Sequence, residues 1–178
     1  MLEFTAAAQR LKRMGIDCRF ALVGGLDPPN RAALSLQDLQ GLTADGAVEW
    51  WGHRSDMPQV LAAAQIVCLP SYREGLPKVL LEAAAVGRPI VTTDVPGCRE
   101  VVTNRENGLL VPARDVDALC AALEELIRSP DLCNEMGSRG RARAQSFSLD
   151  FILSRTMDLY EEVLGTVRAT NLLMSSAE

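Results

Sequence analysis

The sequence predicts an α/β fold: a doubly wound parallel sheet with helices on both faces and further helices at its C-terminal end. Three observations predict it. Short apolar runs at residues 66–69, 89–93 and 108–111 read as buried strands rather than half-exposed ones. Amphipathic stretches of helical period separate these runs, as parallel strands require. From Val116 onward the pattern is helical throughout.

Taken in order, residues 2–14 carry apolar positions at helical spacing and stop at Gly15. Residues 18–23 form an apolar strand that Gly24-Gly25 breaks. After a Pro28-Pro29 loop, residues 36–42 read as a helix, 48–51 as a strand, 57–64 as a helix and 66–69 as another strand. A helix over 77–86 follows, with Pro77 at its first position and Gly87 as its C-cap. Residues 89–93 are rich in β-branched side chains, which suit a strand. An Asn107-Gly108 turn leads into the strand at 108–111. Asp115, Pro130-Asp131 and Ser148 start helices over 116–128, 131–144 and 149–164. Residues 1–165 are therefore expected to form one domain, and 166–178, which lack clear periodicity, a mobile tail.

Composition narrows the classes of function. At 178 residues the chain is long enough to bury a core without disulfides or metals. It is 48% hydrophobic and 23% charged, the balance of a folded globular protein. A net charge of −5 argues against a general nucleic-acid partner. Five widely spaced cysteines and a single histidine form no zinc or redox motif, so no protein-held metal is expected. Reduced cysteines and the absence of a signal peptide or membrane span fit a cytoplasmic protein.

The segment between Glu74 and Glu82 carries the chemistry. It follows a strand and enters a helix, so one carboxylate lies in the turn and one on the helix. Helix amino ends bind anions through backbone amides that have no partner inside the helix. Carboxylates beside them suit sugar hydroxyls and ribose, while the amides suit phosphate, which together point to a nucleotide-sugar site. Lys78 in the first helical turn is either a phosphate contact or an outward, solvated lysine. The bland alternative leaves Glu82 facing solvent and Glu74 as ordinary turn chemistry. Spacing alone does not separate the two.

Wider context does. The run Leu69-Pro70-Ser71-Tyr72-Arg73-Glu74-Gly75-Leu76-Pro77-Lys78-Val79-Leu80-Leu81-Glu82-Ala83 resembles the donor-site motif of retaining GT-B glycosyltransferases of family 4. The blocks from Gly87 to Gly97, from Glu100 to Val102, from Asn107 to Val111 and from Phe147 to Tyr160 continue that resemblance in register. It implies a glycosyltransferase built on the Rossmann-like half of a GT-B fold, acting in polysaccharide, lipopolysaccharide or glycolipid assembly. It also implies that Glu74, in the catalytic position, contacts hydroxyls of the donor sugar and Glu82 holds the ribose hydroxyls. Amides around Gly75, Leu76 and Pro77 would face the sugar and diphosphate, with Lys78 beside them and Val79 packed on the nucleotide. His53 and Arg54 would line the base, and Gly24 would let the chain pass close to the donor. The donor is then a UDP- or GDP-linked sugar acting as substrate, with no cofactor.

The same resemblance sets expectations about what is missing. Family members have a second, N-terminal acceptor domain, and a first strand with an arginine and a lysine for the diphosphate before the helix at 2–14. The chain is accordingly expected to be an incomplete transferase, inactive alone, or else an interaction or nucleotide-binding module that retained the fold. Without the first strand, either the strands at 18–23 and 66–69 pair directly or another element fills the gap. Phe151, Ile152, Leu159 and Val163 on the last helix are expected to be exposed or buried in a homo-oligomer. Peripheral association with a membrane surface is expected of the full-length protein.

Overall fold

The computed structural model describes the backbone of residues 1–26 and 34–175. Its elements follow in the order α1 (Leu2–Arg13), β1 (Ala21–Leu22), α2 (Leu36–Thr43), β2 (Glu49–Trp50), α3 (Met57–Ala63), β3 (Val67–Leu69) and α4 (Lys78–Ala85). Then come β4 (Ile90–Thr93), α5 (Pro96–Val101), β5 (Gly108–Val111), α6 (Val116–Arg128), α7 (Pro130–Ala144) and α8 (Leu149–Ser175). A single 3-10 turn, Gln145–Phe147, separates α7 from α8. The expected Pro28-Pro29 loop lies outside the described residues.

Among the described residues all strand pairing is parallel, as the alternation of elements predicts. β3, β4 and β5 form one ladder, with Val67 opposite Ile90 and Ile90 opposite Gly108. β4 is paired on both edges, and all four of its residues are buried. Its side chains alternate between two apolar layers. Val91 joins Leu109, Val111 and the inward faces of α1 and α6, while Ile90 joins Val67 and the α3, α4 and α5 faces. Helices thus cover both faces. Leu80, Ile90, Leu119 and Leu126 are at most 1% exposed, and burying each side chain contributes roughly 1.5–3 kcal/mol.

β1 and β2 form a separate two-stranded parallel sheet. Neither the direct pairing of β1 with β3 nor a complete six-stranded sheet is found among the described residues. β1 spans Ala21–Leu22 where the sequence predicts 18–23, because a strand with one paired edge keeps less of its ladder.

Other boundaries also move. α4 begins at Lys78 with Pro77 as its extended N-cap, and Gly87 follows the helix with φ +72, the left-handed conformation a C-terminal glycine supplies. Residues 96–101 form α5, too short for a periodic signal and opened by Pro96-Gly97. The turn expected at Asn107-Gly108 is present, and Asn107 clamps it from a buried position: its amide donates to the Val101 carbonyl and its oxygen accepts from the Thr103 amide. α8 runs to Ser175, past the end expected at 164, so the backbone of the expected tail is helical up to that point. Phe151, Ile152, Leu159 and Val163 are each about half exposed on α8. Among the described residues no helix is long and apolar enough to cross a membrane.

Candidate functional site

Parallel strands bring every carboxyl end to one edge of a sheet, and ligands bind there in open α/β folds, where the strand order reverses. In this chain β1 pairs with β2 in one sheet and β3, β4 and β5 pair in another, and the two sheets share one apolar cluster under α1. Each residue singled out in the sequence sits just after one of those carboxyl ends, or on the helix that follows.

Glu74 lies half-buried in the turn between β3 and α4. Two threonines of β4 hold the chain leaving β3: Thr92 Oγ1 donates to the Leu69 carbonyl at 2.7 Å, and Thr93 Oγ1 donates to the Ser71 carbonyl. From below, Gly97 at the start of α5 backs the turn. A Cβ there would stand 2.2 Å from the Gly75 carbonyl oxygen and 2.5 Å from that of Glu74. Only a residue without a side chain allows this approach. Cys98, the next residue, has its thiol pushed up mainly by burial, with a further push from the Glu74 charge. Glu74 is therefore electrostatically close to the buried end of α5.

At the α4 amino end no side chain caps the helix, and among the described residues no hydrogen bond engages the Lys78 or Val79 amide. These are the open donors an anion would use. Lys78 is 87% exposed and its ammonium lies 3.5 Å from the Glu82 carboxylate one turn on. The pair takes the outward alternative for Lys78, and it occupies the carboxylate expected to hold ribose. Leu76 is half exposed, Pro77 buried and Val79 half-buried at the rim.

The second group of residues comes from the β1 and β2 ends. The Gly24 amide donates to the Gly52 carbonyl at 2.9 Å, and Trp50 Nε1 donates to the Gly24 carbonyl at 2.9 Å. His53 is exposed beside Gly25, where a Cβ would meet its side chain at 3.3 Å. Arg54 is locked by a two-point contact with Asp56, at 2.8 and 2.6 Å, and those hydrogen bonds hold the Asp56 carboxyl below the usual range. No hydrogen bond or ion pair among the described residues joins Gly24, His53 and Arg54 to the Glu74–Glu82 segment.

A third cluster escaped the sequence reading. Glu3, in the first turn of α1, is buried and accepts a hydrogen bond from the Tyr72 hydroxyl just after β3. Arg114, after β5, places its guanidinium 4.9 Å from the Tyr72 ring centre. Burial raises the Glu3 pKa, but the Tyr72 bond, its own backbone amide and the charges of the amino terminus and Arg114 together outweigh it, leaving the carboxyl below its usual value. Sequence separations of this size leave no local signal. By contrast, a concavity of about 500 Å³ lined by Gln9, Lys12, Arg13, Asp45 and Ala47 lies at the opposite end of α1 and carries none of the expected site residues.

The chain is similar to known proteins over most of its length. The Glycosyl transferases group 1 family model matches residues 1–129. Over 165 residues the chain is 33% identical to N,N'-diacetylbacillosaminyl-diphospho-undecaprenol alpha-1,3-N-acetylgalactosaminyltransferase of Campylobacter jejuni, covering 93% of this chain and 42% of that protein. Among solved structures it resembles sucrose-phosphate synthase from Thermosynechococcus elongatus, with a TM-score of 0.76 and 26% identity over 93% of this chain and 44% of that one. It also resembles Anabaena HepE, solved in complex with UDP, with a TM-score of 0.70 and 21% identity over 89% of this chain and 53% of that one. The chain thus spans about half or less of the length of each. The expected architecture, the Rossmann-like half of a GT-B fold, is borne out.

Two outcomes follow from these contacts. Gly97→Ala forces the Glu74–Gly75 backbone away from α5, at a cost of about 1–3 kcal/mol; its amide spectrum should shift at residues 74–76 while β2 stays unmoved. Tyr72→Phe removes only the hydroxyl and keeps the ring under Arg114. Because the folded Glu3 pKa is depressed, its contribution is present above the unfolded value and is lost as pH falls through the folded one. The urea midpoint of the variant should therefore lie below the parent's at pH 7, with the difference shrinking as the buffer is acidified below the ordinary carboxylate range.

Proposed function

Because the chain belongs to the Glycosyl transferases group 1 family, we propose that it is the donor-binding half of an enzyme that moves a hexosyl group from a UDP- or GDP-linked sugar to a glycan or glycolipid acceptor. The observation that carries this reading is the uncapped α4 amino end, set beside Glu74 and Glu82 at the carboxyl end of β3. The Lys78 and Val79 amides, with those of Gly75 and Leu76, receive the diphosphate. Glu82 exchanges its exposed Lys78 contact for the ribose hydroxyls, a cheap exchange because exposed ion pairs contribute about 0–1 kcal/mol or nothing measurable. Glu74 accepts hydrogen bonds from the sugar, and Gly24, His53 and Arg54 line the far side of the nucleotide.

Bond cleavage builds negative charge on the departing diphosphate and positive character on the sugar. Amides already aimed at the phosphates stabilise that charge without reorganising. An acceptor hydroxyl must then be aligned with the anomeric carbon, a task for the acceptor domain. Transfer with retention of configuration, in family 4, is part of the proposal. So is peripheral attachment of the full-length protein at the cytoplasmic face of a membrane, which suits a lipid-linked acceptor.

A second reading, a nucleotide-binding or interaction module without turnover, is favoured by the cations. Arg54 and Lys78 are both engaged by carboxylates, which leaves the diphosphate to the backbone amides.

A nucleotide panel tests the donor reading. With UDP or GDP at about ten times its dissociation constant, mass action adds about 1.4 kcal/mol, or about 3–6 °C in Tm for a chain of this size. Glu82→Ala should abolish the shift without lowering the ligand-free Tm. Sugar transfer by the 178-residue chain should be weak or absent. No response to either nucleotide would overturn the donor reading, and robust transfer would overturn the module reading.

A further inference from the structure

At its carboxyl end the β1–β2 ladder departs from its own register. The Phe20 carbonyl accepts from the Glu49 amide at 2.8 Å, and the Leu22 carbonyl from the Trp51 amide at 2.9 Å. One more step in that register would give the Gly24 carbonyl to the His53 amide. Among the described residues that bond is absent. The Gly24 carbonyl accepts from Trp50 Nε1 at 2.9 Å, and the Gly24 amide donates to the Gly52 carbonyl at 2.9 Å. Gly52 has φ +67, which turns the chain out of its extended course after β2. A side chain has thus taken the place of a main-chain donor.

This exchange has two consequences. It ties the two loops together one residue before Gly25, whose backbone lies against His53: a Cβ on Gly25 would stand 3.3 Å from the His53 Cβ. It also leaves main-chain donors over. Among the described residues no hydrogen bond engages the His53 or Arg54 amide, and both residues are exposed. The neighbouring indole cannot stand in for Trp50. Successive side chains on a strand face opposite ways, and Trp51 Nε1 donates to Glu49 Oε2 at 2.9 Å, where Arg19 also binds. An indole N–H is a donor only, so Trp50 holds the Gly24 carbonyl without offering an acceptor in its place.

We infer that Trp50 is a positioning residue of the donor site: its indole occupies the Gly24 carbonyl and so keeps the His53 amide open as a donor to a ring carbonyl oxygen of the nucleobase. Trp50 acts through Gly24 and His53 and is not itself a base contact. If the Gly24 carbonyl held the His53 amide, a base could reach that amide only by breaking the bond and leaving the carbonyl unpaired, which costs more than the new bond returns. With the indole on the carbonyl, the amide gives up only water. The base end is then set before a ligand arrives, which spares binding the cost of ordering it. This role rests on the donor reading above and adds the side chain that prepares one end of that site.

Trp50→Phe keeps an aromatic ring and removes the donor. The isotope-labelled parent and variant are titrated with UDP and with inorganic pyrophosphate, which has no base. UDP should bind the variant about two- to tenfold more weakly, the range that one hydrogen bond supplies, while pyrophosphate gives the same response in both. Hydrogen exchange in the parent supplies a second measurement that stands even if the variant fails to fold. Without ligand the Trp50 indole proton should exchange slowly and the His53 amide fast; saturating UDP should slow the His53 amide, and pyrophosphate should not. Equal weakening of UDP and pyrophosphate, or unchanged UDP affinity in the variant, would overturn the inference and leave the donor reading intact. So would a His53 amide already protected without ligand, or one still fast at UDP saturation. A parent that binds no UDP would overturn the donor reading and this role with it.

Discussion

Parallel pairing through β4 is the constraint on which the other features depend. Ile90–Thr93 is hydrogen-bonded on both edges and buried on both faces, which fixes where the neighbouring strands end. Thr92 and Thr93 extend that control beyond the ladder by gripping the carbonyls of Leu69 and Ser71. On the other side the Asp94 amide donates to the Val111 carbonyl at 2.7 Å, carrying the same order to β5. The turn that holds Glu74 is thus anchored from β4 above and from Gly97 below, and α4 starts where that anchored turn delivers it.

Electrostatics at this edge is arranged for exchange rather than for stability. At the α4 amino end the exposed Lys78 ammonium is paired with the Glu82 carboxylate. Such pairs are weak in water and give way to a ligand that offers better geometry. The buried polar groups form the frame: Thr92 and Thr93 hold the turn itself, Glu3 with Tyr72 holds α1, and Asn107 with Val101 and Thr103 holds the approach to β5. A rigid frame with a loosely paired rim is what the proposed donor site requires.

Much of this was legible in the sequence, for identifiable reasons. β4 and β5 were readable because both of their faces are buried, which writes an unbroken apolar run. α6 was readable from its period and from Asp115, whose carboxylate does accept from the Ala118 amide at 2.8 Å. α5 was not, because six residues complete fewer than two turns. The outward pairing of Lys78 with Glu82 was one of two alternatives that spacing could not separate. Gly97 could have been noticed as a glycine inside a helix start, but its need to be glycine comes from the Glu74–Gly75 carbonyls more than 20 positions away. The bond between Glu3 and Tyr72 spans 69 positions and is set by the packing of α1 across the sheet.

The most direct measurement is a UDP titration of the isotope-labelled chain followed through its backbone amides. A donor site at the α4 amino end predicts progressive shifts at Gly75, Leu76, Lys78 and Val79, with smaller ones at Gly24 and His53. Shifts confined to the Gln9, Lys12 and Asp45 flank, with residues 75–79 unmoved at saturation, would contradict it.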